Sequence, residues 1–88
     1  MWRSRKSNRF EHRYKKLSDE MAQRVDEAIV ALLSSERPET KGIAKTASRK
    51  GYFAWELGQS CRLLYRPVYQ DKVVEFFRVC SHEEVYEP

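Results

Sequence analysis

The chain has 88 residues, a formal net charge of +4, two cysteines and two histidines. That length allows one domain with a small core and excludes a second lobe, and no apolar stretch approaches the roughly 20 residues of a membrane span. No apolar leader segment is visible at the N-terminus, so the expected location is cytoplasmic. Positive charge is gathered in two places. Arg3, Arg5, Lys6, Arg9, Arg13, Lys15 and Lys16 crowd the first stretch against Glu11 alone, and Lys41, Lys45, Arg49 and Lys50 fill an acid-free segment in the middle. Clusters of this kind suit a polyanionic partner, because each neutralised phosphate releases counterions; the plainer reading is a solvated surface.

From Ser7 to Leu17 the apolar positions Phe10, Tyr14 and Leu17 recur at helical spacing, with the basic residues on the other side. A few extended residues around Trp2 can precede this first helix. Ser18 with Asp19 and Glu20 is a helix start, since the hydroxyl caps and the acids sit at the positive end of the dipole. Met21, Val25, Ala28, Ile29 and Leu32 then form one stripe, which predicts a helix from about Asp19 to Ser34. Pro38 opens a basic loop over about 36–49. Beyond it, "YFAWEL", "CRLLYRPVY" and "KVVEFFRVC" are short runs rich in aromatic and β-branched residues, which reads as an antiparallel three-stranded meander over about 50–80. The expected fold is α+β: an N-terminal helical hairpin (about 7–34) packed on one face of a small antiparallel sheet, followed by a tail at 81–88. Pro67 donates no ladder hydrogen bond, so one side of its strand must be free or bulged there.

A turn at Gln70-Asp71 pairs Val68 with Val73, Arg66 with Glu75, Leu64 with Phe77, Arg62 with Val79 and Cys61 with Cys80. Alternation then puts Arg62, Arg66 and Glu75 on one face and Leu63, Tyr65, Val74 and Phe76 on the other, the natural core face. A turn over Gly58-Gln59-Ser60 sets Glu56 opposite Arg62. Arg62 and the segment holding His82 and Tyr86 meet at one end of the sheet. The two cysteines are expected as buried thiols, because a reducing cytosol disfavours a structural disulfide and two cysteines with these histidines do not make a zinc site.

Arg62, His82, Tyr86 and Glu56 are the candidate catalytic residues, and no metal or cofactor is expected. Metal-free RNA cleavage needs a base for the 2′-hydroxyl, a cation for the charge on the pentavalent phosphate, and an acid for the departing 5′-oxygen. An arginine fork suits the phosphate. Histidine suits either proton role, since its ordinary pKa is near 6.5, and Glu83 and Glu84 beside it favour its protonated form. Tyrosine can stack on a base and orient the reacting groups. Each residue also has a structural use: His82 at a strand end, Tyr86 covering the core edge, Arg62 in an ion pair with Glu56 or Glu75. Their convergence is what points to chemistry. Lys41, Lys45, Arg49, Lys50 and Arg66 are the candidate RNA-binding residues.

The stretch "GYFAWELGQSCRLLYRPV" followed by "DKVVEFFRVCSHEEVY" resembles the sheet of the RelE/ParE toxin superfamily, with its "YRLVY"-type strand and terminal H-x-x-x-Y segment, and "RFEHRYKKLSDEMAQRVDEAIVALL" is similar to that family's helical hairpin. The resemblance runs from about Arg9 to Tyr86. It implies a microbial RNase-like fold and, in the RelE/YoeB branch, the toxin of a type II toxin–antitoxin system: a ribosome-dependent mRNA endonuclease (mRNA interferase) that inhibits translation, with an antitoxin, the ribosome and mRNA as partners. By position, Arg62 matches the arginine that contacts the scissile phosphate, His82 the proton-transfer residue, and Tyr86 the stacking or orienting one. RelE carries two lysines where this chain has Ala54 and Glu56, so a lysine-based mechanism does not transfer. "GIAKTAS" likewise replaces the family's "L-K-G"-like segment. The family also contains non-catalytic ParE toxins acting on DNA gyrase, and an inactive RNA-binding relative would share the fold.

Overall fold

The computed structural model describes residues 1–44, 51–58 and 61–80. Elements follow in the order β1 (Arg3–Lys6), α1 (Asn8–Tyr14), α2 (Asp19–Ser34), a 3₁₀ turn (Pro38–Lys41), β2 (Ile43–Ala44), β3 (Phe53–Gly58), β4 (Cys61–Val68) and β5 (Val73–Val79). The sheet order is β1-β5-β4-β3-β2. The expected meander is its centre, and the α+β hairpin-on-sheet arrangement is present. The sheet differs from the expectation in extent and kind: β2 is added at one edge and β1 at the other, and β1 runs parallel to β5, so the sheet is mixed.

Serines start both helices for the same reason, satisfying an amide that has no intrahelical acceptor. Ser7 Oγ accepts from the Phe10 amide at 3.0 Å, and Ser18 Oγ from the Met21 amide at 3.2 Å. Helix α1 is shorter than its apolar spacing suggested. After Tyr14 the chain tightens into i→i+3 bonds, Lys16 to Arg13 and Leu17 to Tyr14, and this turn delivers Ser18 to the start of α2. The stripe Met21, Val25, Ala28, Ile29 and Leu32 is buried against Leu63, Tyr65, Val74, Phe76 and Val79 from the sheet. Fully burying side chains of this size contributes about 1.5–3 kcal/mol each. Among the described residues no helix is long and apolar enough to cross a membrane.

Two irregularities set the register. Val68 pairs with Val73, Arg66 with Glu75 and Tyr65 with Phe76, but then Leu64 pairs with Arg78 and Leu63 with Val79. Phe77 is the extra residue of a β-bulge, and this corrects the expected pairings of Leu64 with Phe77, Arg62 with Val79 and Cys61 with Cys80. The physical reason lies in burial. Without the bulge Arg78 would stand opposite Leu63 on the helix-covered face; with it, Val79 takes that place and is completely buried. Ser7 secures the bulge, its amide donating to the Phe76 carbonyl at 3.0 Å and its hydroxyl to the Phe77 carbonyl at 2.8 Å. A second irregularity lies between Glu56 and Gly58, where Gly58 has φ +89°, a conformation that favours glycine. Pro67 lies past the last β3–β4 pair, Phe53 with Tyr65, so among the described residues no strand stands opposite its outer side.

The cysteines correct the sequence reading outright. The bulge returns Cys80 to the start of β4, where its amide donates to the Arg62 carbonyl at 2.9 Å, and Cys61 and Cys80 are joined as a disulfide.

Candidate functional site

The face of the sheet away from the helices is organised in cross-strand rows. One row runs Arg5, Glu75, Arg66 from β1 through β5 to β4, with Tyr52 beyond Arg66 just ahead of β3. The next runs Arg78, Leu64, Ala54, and the third holds Arg62 opposite Glu56. Register also puts Arg3 here, opposite Val73. Among the described residues, five arginines (Arg3, Arg5, Arg62, Arg66 and Arg78) thus share the face with two glutamates. Guanidinium groups in an array suit a chain of phosphates, whose oxygens a planar fork can bind in pairs.

Arg62 Nε donates to Glu56 Oε2 at 3.1 Å. The arginine side chain is 27% exposed and the glutamate 53%, so solvent screens the pair and it anchors the guanidinium more than it stabilises the fold. Glu75 is the better held carboxylate. It accepts from Arg66 Nη2 at 2.7 Å and Nε at 3.1 Å, and from Arg5 Nη1 at 2.6 Å. Partial burial pushes its pKa upward, but the hydrogen bonds and charges of Arg5 and Arg66 outweigh this and hold it below its ordinary value.

Cys80 fixes where the chain leaves β5. Its amide bonds the Arg62 carbonyl, its carbonyl accepts from Arg13 Nη2 at 3.0 Å, its side chain is bridged to Cys61, and its φ is +54°. A non-glycine residue in that left-handed conformation costs on the order of 1 kcal/mol, a strain the surrounding bonds hold in place.

The structure therefore brings Arg62 and Glu56 together as directly opposed partners, and sets Arg66 on the same face two alternations along β4. Lys41 ends the 3₁₀ turn and is exposed. His82, Tyr86, Lys45, Arg49 and Lys50 lie outside the described residues. Sequence reasoning missed Arg78, Tyr52 and Phe77 on this face and Arg13 as an anchor. A signal for the first existed: apolar core positions at Val74, Phe76 and Val79 break two-residue alternation, and "FFR" is where the extra residue must fall. Among the described residues no three His, Cys, Asp or Glu side chains are grouped as metal ligands would be.

No protein-family model and no curated protein sequence matches this chain. Solved structures do. A chain of the intact Escherichia coli RelBE toxin–antitoxin complex superposes with a TM-score of 0.75 at 21% identity, over 91% of this chain and 95% of that one. For the RelBE2 toxin–antitoxin complex of Mycobacterium tuberculosis the values are 0.77 and 25%, over 90% and 95%. A metal-bound toxin from Helicobacter pylori gives 0.77 and 18%, over 98% and 100%. The chain has the fold of the RelE/ParE toxin superfamily.

Proposed function

We propose that this chain is the toxin of a type II toxin–antitoxin pair and a metal-independent endoribonuclease that cuts mRNA on the ribosome, and hence acts in the cytoplasm. The observation that carries this reading is the junction at Cys80. Arg62 is held by Glu56 on its side chain and by Cys80 on its carbonyl, and the segment bearing His82 and Tyr86 begins at that same residue. Two peptide units separate His82 from Cys80, a reach of about 7 Å.

In this reading the 2′-hydroxyl of a ribose gives its proton to a solvent water and its oxygen attacks the adjacent phosphorus. The P–O2′ bond forms, the P–O5′ bond breaks, and the products are a 2′,3′-cyclic phosphate and a 5′-hydroxyl. Arg62 neutralises the charge that builds on the non-bridging oxygens, a term of about 3–4 kcal/mol for one well-aimed donor. His82 delivers the proton to the departing 5′-oxygen, and Tyr86 stacks on the neighbouring base. Glu56 positions Arg62. Lys41, Lys45, Arg49, Lys50 and Arg66 hold the RNA strand, and the antitoxin neutralises the same basic surface with a segment that folds on binding.

Message cleavage in a translation extract tests the assignment. Arg62→Ala and His82→Gln should each lower the cleavage rate by about a hundredfold or more. Variants that cut as well as the parent, or a double variant that still arrests growth while inducing DNA-damage signalling, would overturn it in favour of a gyrase-type poison.

A further inference from the structure

Tyr52 and Phe77 lie outside the core cluster beneath the helices. Their rings lie 4.8 Å apart, tilted by 45°, on the face away from the helices, and neither is among the side chains packed against the buried cluster. Phe77 is there because the β5 bulge puts two successive residues, Phe77 and Arg78, on one face. The Arg66 guanidinium caps the ring pair, 5.3 Å from the Tyr52 centroid and 5.9 Å from that of Phe77. Glu75 binds Arg66 through Nε and Nη2, which fixes the plane of the guanidinium against the rings. The Arg66 side chain nevertheless stays 42% exposed. An ion pair with Glu75 needs no aromatic support, and both rings stay half-buried on a face where Leu64 and Ala54 are already buried.

We infer that Tyr52, Phe77 and Arg66 form a stacking platform for one unpaired nucleobase of a bound single-stranded RNA. The inference rests on the RNA-cleavage reading of the same face. Planar guanidinium and aromatic surfaces both stack on bases, and arginine adds attraction to the strand that carries them. The occupant follows from charge: the arginines of this face outnumber its glutamates, and a base alone among polyanion components brings a π-face. Four residues along β4 separate Arg66 from Arg62, about 13 Å at strand rise. The stacked base is therefore a neighbour of the cut site, not the nucleotide whose phosphate is attacked. Because every base has a π-face, the platform adds affinity without choosing sequence.

The test measures binding of the full chain to a short, 2′-O-methylated, uncuttable single-stranded RNA by fluorescence anisotropy, with an abasic residue moved along the strand one position at a time. The parent should lose about five- to a hundredfold in affinity at one or two positions. Tyr52→Leu and Phe77→Leu should bind the intact RNA more weakly and show no further loss at those positions, while Tyr52→Phe should restore the parent profile. Tyr52 precedes the regular strand, so its variants keep the test decisive if Phe77→Leu misfolds. Abasic profiles identical in parent and variants would overturn the platform. A parent that cuts message yet shows such identical profiles loses the platform alone, a coupled profile in a chain that cuts nothing keeps the platform and removes the cleavage reading, and absence of RNA binding removes both.

Discussion

The Nε of Arg62 donates to Glu56 Oε2 at 3.1 Å across a directly opposed β3–β4 pair. The pairing gives Glu56 a definite contact, the side chain of Arg62. Glu56→Gln keeps an oxygen that can accept from Nε while removing a negative charge beside the proposed phosphate site. Cleavage by Glu56→Gln should stay within about tenfold of the parent, and Glu56→Ala should fall further. A loss of about a hundredfold or more in the glutamine variant, matching His82→Gln, would make Glu56 a proton acceptor instead.

Glu75 couples stability to acid. Its pKa lies below the ordinary 4.5 because the hydrogen bonds and charges of Arg5 and Arg66 outweigh the opposing effect of burial. A group whose pKa is lowered by folding stabilises the native state above its unfolded value, and the contribution fades as pH falls through the folded value. Glu75→Gln should therefore cost about 1–2 kcal/mol at neutral pH, with the difference from the parent shrinking below about pH 4.5. Urea unfolding midpoints measured across that range would check the sign; a difference that grows towards acid contradicts it.

The Cys61–Cys80 bridge closes a loop with a sequence separation of 19. Loop-closure entropy predicts about 3 kcal/mol of stabilisation. Adding dithiothreitol should lower the urea midpoint of the parent accordingly and leave a Cys61→Ser/Cys80→Ser double variant unchanged. Equal sensitivity of the two proteins would show that the bridge contributes nothing.

Gly42 is required for space, not for backbone freedom, since its φ is −123°. A Cβ there would lie 2.6 Å from the Tyr65 hydroxyl and 2.9 Å from the Ala54 carbonyl oxygen. Tyr65 is completely buried and donates to the Pro38 carbonyl at 2.7 Å, so it has nowhere to retreat. Gly42→Ala should lose about 1–3 kcal/mol in denaturant unfolding.

Much of this molecule is legible in its sequence. The stripe from Met21 to Leu32, with Ser18 ahead of it, specifies α2 through local periodicity and capping, and the Arg66–Glu75 and Glu56–Arg62 pairings follow from turn positions. What was hidden depends on distant partners. The residues Arg3–Lys6 show no apolar alternation and are all exposed, so nothing local marks them as a strand; they become one only because β5 offers an unpaired edge. Uninterrupted alternation through "VVEFFRV" hides the bulge at Phe77, and with it the placement of Arg78 and of the ring pair. A reducing compartment argues against the cysteine bridge, although the unbulged register sets Cys61 opposite Cys80 and the bulge moves Cys80 by only one residue, to Arg62.

The pairing of β1 with β5 also sets a schedule. Ser7 and Phe77 are 70 positions apart, yet the hydroxyl of one secures the bulge of the other. At about 5–20 residues per second, a growing chain waits roughly 4–14 seconds between making these two residues. Throughout that interval the apolar stripe of α2 has no completed sheet to cover it. The basic face cannot assemble until the last strand exists, so a partner able to grip the early helical hairpin would meet this protein before its arginines have been brought into line.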